Sequence, residues 1–174
     1  MCKFIQITSA TGENLYYISK IFACYKQYSK FLHDDFITDN GIEFILNSIP
    51  YLWAICKYNG EFAGFAILDN FIGNDKTKFS AEITTCFDKN AWGNFTKYAA
   101  KIFLKKCFDE LGLYKIIAQI FPDNHRVKNL LKSAGFCYEA TIPNETLRNG
   151  KFQSIDLYSI NKNYYYKNEG KNYD

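Results

Sequence analysis

Arginine is scarce in this chain: only Arg126 and Arg148 stand among 21 basic side chains. Proline occurs three times, histidine twice and methionine once. Six cysteines, Cys2, Cys24, Cys56, Cys86, Cys107 and Cys137, are spread singly with no C-x-x-C pair. With so few histidines beside them, neither a zinc centre nor a disulfide framework is implied, and no metal is expected. The thiols read as reduced, small apolar side chains, which points to a cytoplasmic protein. No apolar run approaches the roughly 18 to 20 residues of a membrane span, and "MCKFIQITS" lacks the apolar core of a secretion signal. No membrane association is expected.

Strong charge is also missing. The formal net charge of +3 is too mild for the electrostatic footprint of a nucleic-acid binder. Lys97, Lys101 and Lys105, spaced i,i+4, read as a solvated helix face.

What is present is apolar and aromatic: 48% hydrophobic and 18% aromatic residues in 174, enough for one sizeable core. "CKFIQI" alternates as an opening strand, and from Asn14 a helical stripe runs through Leu15, Ile18, Ile21, Phe22, Tyr25, Tyr28 and Leu32. "FLHDDFITDN" reads as a loop, and "GIEFILNS" as a short helix ended by Pro50. "YLWAICKY" and "FAGFAILDNF" flank Asn59-Gly60, a hairpin signal, and "TKFSAEITTCF" continues the meander. The period then lengthens over "NFTKYAAKIFLKKCFDELG", a helix closed by Gly112, and is followed by the strand "LYKIIAQIF" and the helix "NHRVKNLLKSAG". "FCYEATI" and "FQSIDLYSI" form a closing strand pair. The order predicts a single domain over residues 1–161, an α/β fold with a mixed, mostly antiparallel sheet and helices on both faces. Residues 162–174, "KNYYYKNEGKNYD", are polar and read as a disordered tail.

Two strand-to-helix junctions carry the functional signal. "CFDKNAWGNFTKYAAKIF" passes from a strand through Gly93 into a helix, whose first-turn amides and dipole suit a phosphate or pyrophosphate. "QIFPDNHRVKNLLKSAGFCYE" breaks a strand at Pro122-Asp123-Asn124 before a second helix. A polar gap of that kind is where α/β proteins commonly place ligands.

Together, "WGNFTKYAAK" and "PDNHRVKNLLKSAGFCYE" resemble the GNAT superfamily of acetyl-CoA-dependent N-acetyltransferases. The resemblance runs from about Lys3 to Ile160 and is strongest from Phe87 to Glu139. The "GFCYE" ending and "LRNGKFQSIDLYSI" lean toward the branch that includes ribosomal-protein N-terminal acetyltransferases.

The resemblance implies that the strands Phe79 to Phe87 and Lys115 to Phe121 splay to admit the pantetheine arm of acetyl-CoA, the cosubstrate. It places Phe87, Trp92, Gly93, Asn94, Phe95, Thr96 and Asn124 at the cofactor. It also puts Glu82 beside the acetyl position as the base, an assignment compatible with strand alternation, which sets Ser80, Glu82 and Thr84 on one face. Tyr138 is the substitute acid and Glu139 a substrate-orienting carboxylate, while His33, Asp34 and Asp35 border the acceptor, a small-molecule or peptide amine. The protein is expected to be a monomer or homodimer.

Two departures from the family pattern stand out. The phosphate loop reads "NAWGNF" where the family has Gln/Arg-x-x-Gly-x-Gly/Ala, so Phe95 must point away from the pyrophosphate. Leu131 occupies the position of the family's acid tyrosine, and Gln119 the position of a base found in some members; an amide takes no proton at neutral pH. The alternative reading is a coenzyme-A-binding or structural module of the same fold without turnover.

Overall fold

The computed structural model describes residues 2–32, 41–74 and 76–169. The elements are β1 (Cys2–Ile7), α1 (Asn14–Tyr28), α2 (Gly41–Asn47), β2 (Leu52–Lys57), β3 (Phe62–Gly73), β4 (Lys78–Phe87), α3 (Asn94–Asp109), β5 (Lys115–Ile120), α4 (His125–Ser133), β6 (Cys137–Arg148), β7 (Lys151–Asn161) and α5 (Lys162–Glu169). Among the described residues seven strands join one sheet in the order β1-β2-β3-β4-β5-β7-β6. Every neighbouring pair is antiparallel except β4 and β5, which α3 connects as a parallel crossover. The mixed, mostly antiparallel sheet expected from the sequence is therefore present.

Period-2 alternation divides the apolar side chains between two cores. Trp53, Leu68, Ala81, Ile116 and Tyr158 meet α3, α4 and α5 on one face. Ile7, Leu52, Phe65 and Ile67 meet α1 and α2 on the other. Helical spacing sets the buried stripes: Ile18, Ile21, Tyr25 and Tyr28 on α1, and Ala99, Phe103, Leu104, Cys107 and Phe108 on α3. Leu15, at the head of the predicted α1 stripe, is 54% exposed. Among the described residues no helix is long and apolar enough to cross a membrane.

The tail expectation needs correction. Residues 162–169 form α5, and Tyr165 is buried against Phe108 with ring centroids 5.3 Å apart. Its hydroxyl donates to the Lys101 carbonyl at 3.1 Å, and the Lys162 ammonium donates to the Phe108 carbonyl at 2.7 Å. One aromatic ring with apolar surface to cover outweighs the polar composition around it.

The feature that positions the site is the incomplete β4–β5 ladder. Pairing covers Ser80 with Lys115, Ala81 with Ile116 and Glu82 with Ile117, and then stops. The closed end is reinforced by the Tyr114 amide, which donates to the Phe79 carbonyl at 2.9 Å, and by stacking of the two rings at 5.3 Å. Beyond Glu82 each strand follows its outer neighbour: β4 stays on β3 as far as the Gly64–Phe87 pair, and β5 stays on β7 as far as Ile120–Asp156. Gly64 allows this close approach, since a Cβ there would lie 2.2 Å from the Cys86 carbonyl oxygen. The two strands thus diverge because each is held from outside.

Candidate active site

A cavity of about 280 Å³ occupies the opening between the diverging strands. Ile83 and Thr85 of β4, Ala118 and Ile120 of β5, Ala99 and Phe103 of α3, and Leu131 of α4 line it. At one end lie Trp92, Gly93 and Asn124, from the two strand-to-helix junctions. Apolar walls with polar groups gathered at one end suit a long ligand with a charged terminus.

The β4–α3 junction is held by bonds between side chains and backbone. The Asp88 carboxylate accepts from the Asn90 amide at 2.9 Å, and the Trp92 indole donates to the Phe87 carbonyl at 2.9 Å. Gly93 begins α3 at φ 103°, ψ −132°, a conformation open to glycine, and among the described residues no side chain caps the helix. The Thr96 hydroxyl donates back to the Gly93 carbonyl at 2.8 Å. The first-turn amides at Asn94, Phe95 and Thr96 have no acceptor inside the helix and carry its positive dipole end. Arg126, from the first turn of α4, lies across this junction with its guanidinium carbon 3.4 Å from the centre of the Trp92 ring.

The β5–α4 junction is held by side chains. The Asn124 carboxamide oxygen accepts from the Val127 amide at 3.3 Å and caps α4. Arg148, at the end of β6, grips both carboxylate oxygens of Asp123 at 3.0 and 2.8 Å and holds that acid below the usual carboxylate range. The same guanidinium lies 4.7 Å from the centre of the Phe121 ring.

At the other end, where the ladder stops, Glu82 receives two amides on one oxygen: Asn70 Nδ2 at 3.0 Å and Gln119 Nε2 at 3.0 Å. Asn70 reaches it from a β-bulge, at φ 46°. Gln119 lines the cavity, and Glu82 lies beyond the lining, joined to it through that amide. Directly across the ladder from Glu82 stands Asp69. Burial, and next to it the charge of Glu82, push the Asp69 carboxyl up to about 6.

Cys86 also lines the cavity, 3.5 Å from the Cys24 sulfur, and this contact and its burial push its thiol well up. A thiol held protonated is a poor nucleophile.

Residues 18–137 match a family model described as an acetyltransferase (GNAT) domain. The chain belongs to this GNAT acetyltransferase family. Among solved structures, spermidine N-acetyltransferase from Vibrio cholerae, in complex with CoA and spermine, aligns with a TM-score of 0.75 at 16% identity, over 95% of this chain and 98% of that one. Ribosomal-protein-S5-alanine acetyltransferase from Vibrio fischeri aligns with a TM-score of 0.72 at 16% identity, over 94% of each chain. These likenesses show the fold and do not separate one branch of the family from another. No curated protein matches the sequence.

In this GNAT chain the structure brings Phe87, Trp92, Gly93, Thr96 and Asn124 to the cavity wall. Asn94 is exposed, and Phe95 packs against the α3-side core, so these two offer backbone rather than side chains. Tyr138 and Glu139 are not brought to the cavity. The Tyr138 ring packs edge-on against Tyr158 on the face away from Glu82, with its hydroxyl 2.8 Å from that of Thr141. Glu139 is committed to Lys115 at 2.8 Å and to the Ser159 hydroxyl, and these bonds hold its carboxyl down. These contacts are where the structure places the two residues expected as acid and substrate carboxylate. His33, Asp34 and Asp35 lie outside the described residues.

Sequence reasoning missed Asp69, Asn70 and Arg126. Asp69 is signalled only by the strand register, and Asn70 only by a bulge that alternation does not reveal. Arg126 had a visible cue, since arginine is so rare in this chain.

Proposed function

We propose that the protein transfers an acetyl group from acetyl-CoA to a primary amine by direct attack in a ternary complex. The observation that carries this reading is the ladder that stops at Glu82 and Ile117, with an apolar cavity running from there to the start of α3. The fit to coenzyme A rests on features of this chain. The inner edge of β4 past Glu82 offers backbone groups that an amide-bearing arm can join as an added strand. Gly93 opens the backbone toward the first-turn amides of α3, where a diphosphate is favoured.

When bound, acetyl-CoA supplies the activated thioester; the remaining work falls to the chain. An acceptor ammonium near pKa 10.4 must lose its proton at pH 7.4, at a cost of about 4 kcal/mol. Glu82, fixed by Asn70 and Gln119, accepts that proton directly or through water. Backbone N–H groups of the splayed β4 edge meet the developing oxyanion. The C–N bond forms as the C–S bond breaks, and the second nitrogen proton leaves with the thiolate. Gln119, read from sequence as a missing base, serves instead to orient Glu82. The high Cys86 thiol supports direct attack over a covalent acyl-enzyme.

Leu131 at the cavity wall favours a second reading, a module that binds coenzyme A without turning it over. Acetyl-CoA is expected to raise the melting temperature, and a panel of amines including polyamines and peptide N-termini to release thiol. Stabilisation with no thiol released by any amine selects the module. Glu82→Gln is expected to lower kcat by about 10²-fold or more with the acetyl-CoA dissociation constant unchanged. An unaltered kcat removes Glu82 from the mechanism.

A further inference from the structure

We propose that Asp69 is a positioning residue that shares one proton with Glu82, so that the two carboxyl groups handle the acceptor's proton as a unit. This rests on the acetyl-transfer reading above. Asp69 and Glu82 are partners in the antiparallel β3–β4 ladder, which puts both side chains on one face at the usual cross-strand distance of about 5 Å. Glu82 is also the last β4 residue paired to β5, so the two acids stand at the fork of the sheet. The Asp69 Oδ1 is sealed from solvent and has no hydrogen-bond partner among the described residues. A buried carboxylate oxygen without a donor is costly, and two like charges across a ladder repel. One proton held between the acids removes both penalties.

Among the described residues no neighbouring cation is aimed at Asp69. On β4, Lys78 binds the Tyr51 hydroxyl, and on β5, Lys115 is taken by Glu139. Lys57 of β2 is paired with Glu61. Lys20, Lys26 and Glu43, on the helices covering this face, are exposed. The charge acting on Asp69 is that of Glu82. Asn70 and Gln119 both donate to the Glu82 Oε2, so both donors sit on one oxygen.

In the reaction, the acceptor R–NH₃⁺ gives one proton to the dyad and becomes R–NH₂. The nitrogen lone pair forms the C–N bond, the C–S pair departs on sulfur, and the second nitrogen proton passes to that thiolate. The shared proton leaves to water before the next turnover.

Carbon-13 carboxyl NMR titration of the protein without ligand reads the dyad without any need for turnover. Asp69 is expected to titrate near 6 and to move to lower pH in Glu82→Gln. A midpoint that stays in place in that variant means burial alone sets it and overturns the proposal. In kinetics, Asp69→Asn is expected to lower kcat about tenfold or more. It should also move the acidic limb of kcat/KM to lower pH, leave the acetyl-CoA KM unchanged, and be partly rescued by Asp69→Glu. A variant that shifts only the melting temperature, with the limb unmoved, contradicts the shared proton. If the wild-type chain releases no thiol with any amine, the acetyl-transfer reading fails, while the titration still decides the dyad.

Discussion

The two strand-to-helix junctions read alike in sequence, yet the molecule holds them by opposite means. At β4–α3 the helix starts on Gly93, with no side-chain cap among the described residues. At β5–α4 the Asn124 carboxamide caps the helix, and Arg148 fastens Asp123 with two hydrogen bonds. At that shared end of the cleft, one side therefore presents backbone dipoles and the other is a braced wall. The contrast teaches that withholding a cap leaves helix-start amides open to an anion, whereas adding one closes them.

Removing the glycine should break this contrast most severely. Nothing lies within 4 Å of a Cβ built on Gly93, so Gly93→Ala acts through φ alone and should cost about 1 to 3 kcal/mol of stability. Calorimetry should show acetyl-CoA affinity falling about tenfold or more. Retained affinity would mean that the loop conformation does not matter to the anion.

On the braced side, Asn124→Ala should destabilise the fold by about 1 kcal/mol through the lost cap, with Asn124→Asp restoring stability. If the carboxamide also touches the cofactor arm, the Asp variant regains stability but not affinity, and denaturation alongside binding separates the two roles.

Arg148→Gln should have the smallest effect, under about 1 kcal/mol, because Asp123 is well exposed. The sign follows from the lowered Asp123 carboxyl. Below its ordinary pKa the unfolded chain takes up the proton more readily, so this contribution is present at neutral pH and lost as pH falls. Wild type and variant should therefore converge in acid. Asp69 runs the other way: its carboxyl is raised, so it disfavours the fold as pH climbs from about 4 through about 6. Asp69→Asn should gain stability relative to wild type at pH 7 and not at pH 4 in thermal denaturation.

Much of this framework was legible because it depends on local chemistry. Asn59-Gly60 marks the β2–β3 turn, and Gly60 adopts φ 85° there. Gly93 marks the α3 start, and the break at Pro122 ends β5. What escaped depends on partners distant in sequence. The Asp69–Glu82 pairing requires the register of a bulged ladder, and the Asp123–Arg148 clamp links residues brought together only by β6. Tyr165 looked like part of a polar tail until Phe108 was found beneath it. Glu139 looked free in sequence because Lys115 and Ser159 approach it from two other strands.

Amide hydrogen exchange with and without acetyl-CoA tests the central claim most directly. Amides of the Ile83 to Phe87 segment that face the cleft, and those of Asn94 to Thr96, should slow by more than the outer strands β1 and β2. Equal slowing throughout, or none at the fork and the α3 start, would contradict a cofactor seated between β4 and β5.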